Sequence, residues 1–302
     1  MGNSQDSCCL SVCRALEARN YPTRIIANPL AQPPRFAWQL NNEQSASQLV
    51  WDEQPPLLDD HISGVFVRQS AWLDPTGWQP DDLAYMHAET QAALLAWLWS
   101  LPCPVVNRYS PAIWYRPKVS LLCWQYLLRR CGFPTLETLV TNVEEEARAF
   151  GQRLAQEGVP GAVYGPLTSD VRYLIIDNED WSGLAAMQRC APVSLTYPHG
   201  AAQFVCLAGE HVVWEGEPPP EAALLEPAIR RFALATGLSF VSFAFAHTAQ
   251  GLCVIAVESH PYFEHFGDAA RQQIVEGLVQ FLTADVDYRL NGAAQSLQGS
   301  LI

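Results

Sequence analysis

Apolar side chains recur at helical spacing over residues 83–100 (LAYMHAETQAALLAWLWS), predicting a strong amphipathic helix whose Trp97 and Trp99 pack into a core or against a neighbouring lobe. The same period predicts helices over 8–19, 119–132, 144–158, 222–237 and 269–284. Asp6 or Ser7 can cap the first of them, Arg129 and Arg130 fall in the last turn of the second, and Glu144 to Glu146 open the third. Short apolar, β-branched runs alternate with these helices. They predict strands over 23–29, 62–70, 101–107 and 133–142 in the first half. Between Arg35 and Leu58 the chain is polar and proline-rich, which reads as an irregular connection with one strand near Ser47–Trp51.

The second half changes character. Strands are expected over 161–167, 172–177, 191–197, 202–217, 239–247 and 252–259, separated by turns, and Pro218 to Pro220 mark a boundary between strand and helix. The fold class is therefore α/β in the first half and a largely antiparallel α+β lobe in the second. Residues 8–29 look like the latter part of a β-loop-α-β unit whose first strand is expected ahead of Gly2; either that strand is encoded upstream of Met1, the favoured reading, or the sheet lacks an edge strand.

Composition narrows the function classes. The 302 residues are 49% hydrophobic, enough to bury a full core in two or three lobes. A formal net charge of −13 argues against a nucleic-acid footprint but leaves room for a local phosphate site. The nine scattered cysteines read as reduced thiols of a cytoplasmic protein, and Cys8, Cys9 and Cys13 lack the partners of a zinc site. No long apolar run predicts a membrane span, and Asp6 stands where an N-terminal lipidation signal needs a hydroxyl. Serine-hydrolase, P-loop, zincin and dinucleotide-binding motifs are missing.

Lys118 is the chain's only lysine. It follows VVN (105–107) and a proline-rich loop, stands at an expected helix start, and precedes Gly-Phe-Pro-Thr (132–135) and TLVTN (138–142). That succession resembles the entry into the ATP-grasp superfamily. The likeness continues through APVSLTYPHGAAQFVCLAGEHVVW (191–214), GLSFVSFAF (237–245) and GLCVIAVESHP (251–261). It implies three lobes: an incomplete Rossmann-like lobe over 1–110, a central lobe over 111–160 and an ATP-grasp-like lobe over 161–302, with a nucleotide between the last two.

It also implies chemistry. ATP-grasp enzymes phosphorylate a carboxylate and pass the acyl phosphate to a nucleophile, using cations on the phosphates and carboxylate-bound magnesium. Carried over residue by residue, the resemblance makes Lys118 the first phosphate lysine and puts the second at Gly165, ahead of Pro166. The adenine contacts fall near Leu195 and Thr196, the family arginine at Gln203, and the first metal-binding acid at Ala244. The E-V-N-P motif reads Glu258, Ser259, His260, Pro261. Lys118, Thr196, Gln203 and Glu258 are thus the candidate ATP contacts, and Glu258 and His260 the candidate metal ligands. A second arrangement, in which His247, Glu264 and His265 join Glu258 and His260 around a transition metal, competes with the reading of these residues as ordinary strand-end groups.

Two functions follow from the resemblance. One is an ATP- and magnesium-dependent carboxylate ligase acting on a peptide or small metabolite. The other is a protein of the same family that has lost turnover and serves as a binding or scaffolding partner of another enzyme.

Overall fold

In the computed structural model the first helix, α1 (Ser7–Glu17), is capped by Asp6, whose carboxylate accepts the Cys9 N–H at 2.8 Å. The structure describes residues 5–26, 35–40, 45–50, 55–68, 76–114, 119–159, 161–167, 173–176, 182–189 and 191–284. Of the strand expected over 23–29, the described part, 23–26, is irregular chain. The proline-rich stretch is more ordered than its composition suggests: β1 (Arg35–Leu40), β2 (Ser45–Val50) and β3 (Leu57–Leu58) form an antiparallel meander. The prolines flank these strands instead of interrupting them, so no ladder hydrogen bond is lost. The meander is anchored by the fully buried Trp97, whose indole N–H donates to Ser47 Oγ at 2.7 Å.

The strands expected over 62–70 and 101–107 contract to β4 (Val65–Phe66) and β5 (Val105–Val106), a parallel pair. Between them runs the long helix α2 (Pro80–Ser100), the crossover that parallel strands require. A short α3 (Pro111–Trp114) precedes α4 (Leu121–Arg130). The helix expected to open at Lys118 thus begins at Leu121, with Ser120 at its N-cap, and Lys118 itself lies outside the described residues.

Next come β6 (Thr138–Thr141), α5 (Glu144–Gln156), β7 (Gly161–Pro166), β8 (Tyr173–Ile176), α6 (Ser182–Gln188) and β9 (Val193–Thr196). Their four strands make one antiparallel sheet in the order β6-β9-β7-β8, so the lobe boundary placed at residue 160 by sequence cuts across it. A second antiparallel sheet, β11-β10-β12-β13, is built from β10 (Gln203–Ala208), β11 (His211–Trp214), β12 (Phe240–Thr248) and β13 (Gly251–Glu258). Helices α7 (Ala222–Thr236) and α8 (Asp268–Thr283) complete the fold.

The second sheet is buried on both faces, which explains why its central strands read as continuous apolar runs. Val205, Leu207, Phe243 and Phe245 join a core shared with α2, α4 and α7. Cys206, Ala208 and Phe240 face the core formed with α1 and α8. Helix α8 approaches β10 so closely that a Cβ on Gly277 would meet the Ala208 carbonyl oxygen at 2.5 Å. The same helix packs on α1 and β5, tying the N-terminal parallel pair to the C-terminal sheet.

Candidate functional site

The loop after β13 meets the end of β5 in a buried polar network. Asn107, 1% exposed, accepts the backbone N–H groups of Ser239 (2.9 Å) and Phe240 (2.7 Å) at its carbonyl oxygen. Its amide nitrogen lies 2.7 Å from the Phe240 carbonyl, 3.1 Å from the Ser259 carbonyl and 3.1 Å from the Tyr109 hydroxyl. One side chain therefore joins the parallel pair, the start of β12 and the loop after β13. The Tyr109 hydroxyl also donates to the Ser259 carbonyl at 3.2 Å, and burial holds its pKa well above the usual phenol range.

His260 stacks on Tyr109 with ring centroids 4.6 Å apart and planes at 16°. Burial, then the Arg68 guanidinium, push its pKa down to about 4, so the ring is neutral at neutral pH. Its Nδ1 is 3.1 Å from Ser259 Oγ, and its backbone N–H donates to Glu258 Oε1 at 2.9 Å. Arg68, 3% exposed, donates to the Pro261 carbonyl at 2.6 Å, contacts Asp6 Oδ2 at 3.3 Å, and sits 4.7 Å from the centre of the Tyr262 ring. The Asp6 that caps α1 is thus also the counter-ion of the arginine that holds this loop.

The positions singled out by sequence are distributed around this network. Ala244 pairs with Phe204 on one side and Ala256 on the other, with a bulge between Ala244 and Phe245. Register places Ala244 and Glu258 on the same sheet face, because Ser242, two residues before Ala244, pairs with Glu258. Gln203 opens β10 beside Phe245 and falls on the opposite face with Val205, so the structure does not bring it to Glu258; its Oε1 is buried without a hydrogen-bond partner. In the other sheet, the Thr196 hydroxyl donates to the Glu137 carbonyl at 3.0 Å, Leu195 is fully buried, and the Gly165 carbonyl accepts from Ser194 Oγ at 3.0 Å. His247 is exposed near the end of β12, and His265 stacks on Phe204 at 4.3 Å. The Glu264 side chain lies outside the described part, and among the described residues no three His, Cys, Asp or Glu side chains converge as a metal cage.

No protein-family model matches the sequence, and no curated protein matches it. Solved structures do match, over nearly the whole chain. A RiPP-associated ATP-grasp ligase of Chryseobacterium gregarium, in complex with ADP and a leader and core peptide, superposes with a TM-score of 0.71 at 13% identity, covering 93% of this chain and 94% of that one. Macrocyclase MdnC of Microcystis aeruginosa, bound with precursor peptide MdnA, gives 0.68 at 16% identity, covering 93% and 97%. ATP-grasp ligase PsnB, complexed with a minimal precursor, Mg and ADP, gives 0.69 at 18% identity, covering 94% and 97%.

The chain has the ATP-grasp fold. Measured against the nucleotide and magnesium that the resemblance to that superfamily implies, the described residues fit poorly. Where two carboxylates are expected, Glu258 shares its sheet face with Ala244 and has Ser242 as its cross-strand partner, and its carboxylate accepts the His260 N–H. His260 replaces an oxygen ligand with an imidazole held in a stack and a hydrogen bond, and magnesium takes oxygen donors. Gly165 carries no charge, and Gln203 is neutral and faces away from Glu258. The residues that sequence reading missed are Arg68 and Tyr109, and Asn107 was visible only as the end of a VVN motif. The available signal was an arginine directly after an apolar strand, VFVR over 65–68.

Proposed function

We propose that this chain is a peptide-binding protein of the ATP-grasp fold that has given up phosphoryl transfer and works beside a partner enzyme. The observation that carries this reading is the state of the metal end of β12 and β13. Ala244 removes one carboxylate, and His260, neutral and stacked on Tyr109, removes the second oxygen donor beside Glu258. Phosphoryl transfer depends on neutralising charge with positioned cations, and each missing contact costs a few kcal/mol of transition-state stabilisation, by order of magnitude. A peptide as ligand is supported by the solved counterparts, which were captured with leader, core or precursor peptides. The eight described cysteines are all free, which supports a reducing compartment such as the cytoplasm. No helix among the described residues is long and apolar enough to cross a membrane.

Calorimetric titration of the full chain with Mg-ATP, alone and with a candidate precursor peptide, tests the proposal. The expected result is peptide binding with no nucleotide binding at millimolar concentration. Saturable Mg-ATP binding coupled to phosphate release would overturn it in favour of a carboxylate ligase in which Lys118 and Glu258 carry the charge. Lys118→Ala would abolish that turnover, whereas in the proposed binding protein it leaves peptide affinity unchanged.

A further inference from the structure

Helix α2 turns one face to the core and leaves another apolar face bare. Leu94, Leu95, Trp97 and Leu98 are buried, whereas Tyr85, Ala88, Ala92, Ala96 and Trp99 are exposed, Tyr85 to 64%. At 3.6 residues per turn the exposed set falls within an arc of about 80°, so these side chains share one face over four turns of the helix. Trp99, expected to pack inward like Trp97, is instead held with its ring 39% exposed, because its indole N–H donates to the Tyr109 carbonyl at 2.8 Å. Trp78, just ahead of α2, is exposed as well. Both exposed tryptophans among the described residues therefore border this helix, and fixed aromatic rings of this kind are enriched where proteins meet.

The face is symmetric about Ala92: Tyr85 lies seven residues before it and Trp99 seven after, Ala88 four before and Ala96 four after. We propose that α2 packs antiparallel against α2 of a second copy of this chain, forming a homodimer whose two-fold axis passes beside Ala92. Such an interface is isologous, so each contact occurs twice. Tyr85 of each copy meets Trp99 of the other and Ala88 meets Ala96, which lets the helices approach to about 8 Å at the centre while aromatic rings close both ends. Charge selects the orientation. Asp81 and Asp82 open α2, and at its other end the Arg108 guanidinium donates to the carbonyls of Leu98 at 2.6 Å, Trp99 at 2.8 Å, Leu101 at 2.9 Å and Cys103 at 2.8 Å. Antiparallel packing about Ala92 sets Asp82 and Asp81 opposite Pro102 and Cys103 of the other copy, beside the cation that Arg108 holds there. Parallel packing would instead stack the acids on their own copies. Glu89 falls opposite Leu95, so no acid of α2 faces an acid. This local complementarity works against the general repulsion between two chains of net charge −13.

Sedimentation equilibrium of the full chain from about 1 to about 100 μM tests the proposal. A dimer should form within that range. Ala92→Glu sets two carboxylates face to face on the axis and should weaken association by at least about tenfold while the circular dichroism spectrum is retained. A second variant reads the register directly. In Ala92→Cys the two thiols meet at the axis, and oxidised glutathione should convert them to one intermolecular disulfide as it is reduced to two glutathione thiols. That cross-link should form faster than in the parent chain, which already carries the exposed Cys123, and faster than in Ala223→Cys, which places an exposed thiol on α7. A monomer throughout the concentration range overturns the proposal. So does a dimer that a folded Ala92→Glu chain forms equally well, or cross-linking of Ala92→Cys no faster than in the two comparators.

Discussion

Two sets of positions make opposite use of polar side chains: those where the loop after β13 meets β5, and those that the resemblance assigns to nucleotide and metal. Where the loop after β13 meets β5, Asn107, Arg68, Tyr109 and His260 are buried, and each is engaged by hydrogen bonds, ring contacts or both. At the positions where the fold's chemistry would be expected, Gly165, Gln203 and Ala244 are small or neutral, and Gln203 leaves its Oε1 unpartnered. A polar network is kept in a core only when it is well satisfied, because a half-satisfied one is worse than an apolar core. The contrast separates two roles that sequence motifs merge. Asn107 of VVN and the E-x-x-P loop hold three elements together here, a role that does not depend on catalysis.

The comparison breaks most readily at its satisfied end. Asn107→Leu leaves the Ser239 and Phe240 N–H groups without their partner, and Arg68→Met removes the counter-ion of Asp6 and the guanidinium donor to the Pro261 carbonyl. Each should lower unfolding free energy by about 3–5 kcal/mol in urea titration. Both variants act on the same loop, so their combined effect should be less than additive. A loss below about 1 kcal/mol for Asn107→Leu would mean that the network is ornamental and that the motif persists for another reason.

His260 sharpens the comparison through pH. Its folded pKa of about 4 lies below the unfolded value of about 6.5, so the unfolded chain binds the proton first. The stabilising contribution is complete above about pH 6.5 and is lost as pH falls toward 4. From that gap the loss reaches about 3 kcal/mol. His260→Phe keeps an aromatic ring against Tyr109 but has no proton to take up. As pH falls from about 6.5 toward 4 the parent should therefore lose about 3 kcal/mol relative to His260→Phe, its profile being the steeper of the two across this window. Parallel profiles would show that the imidazole is solvated and free to serve as a ligand.

Much of the scaffold was legible in the sequence, for a local reason. Helices α2, α5, α7 and α8 announce themselves by period, and β10, β12 and β13 by apolar runs bounded by turns. Of the meander β1–β3 only β2 was, as the strand expected near Ser47–Trp51, because composition over 35–58 is polar and the meander is anchored by Trp97, far along the chain. Asn107 was readable as a motif but not as a tether, since its partners Phe240 and Ser259 lie 133 and 152 positions later. The metal end was misleading in a different way. Glu258 and His260 alternate along the chain as a ligand pair would, yet the imidazole is claimed by Tyr109 and Ser259.

Gln203 gives the smallest effect and the finest discrimination between the two sets of positions. In the resemblance it stands where a phosphate-binding arginine belongs, but here its neighbours on the sheet face are Val205 and the β12 residue Phe245. An amide whose carbonyl oxygen is buried and unpaired contributes nothing by hydrogen bonding and carries part of its desolvation cost. Gln203→Leu should therefore raise stability, by about 0.5–1 kcal/mol, the reverse of the sign expected at Asn107. Equilibrium unfolding of this variant, with and without added Mg-ATP, reads both roles together. A loss of stability would reveal a partner for the amide, and a nucleotide-dependent shift seen only in the parent chain would return Gln203 to a phosphate site.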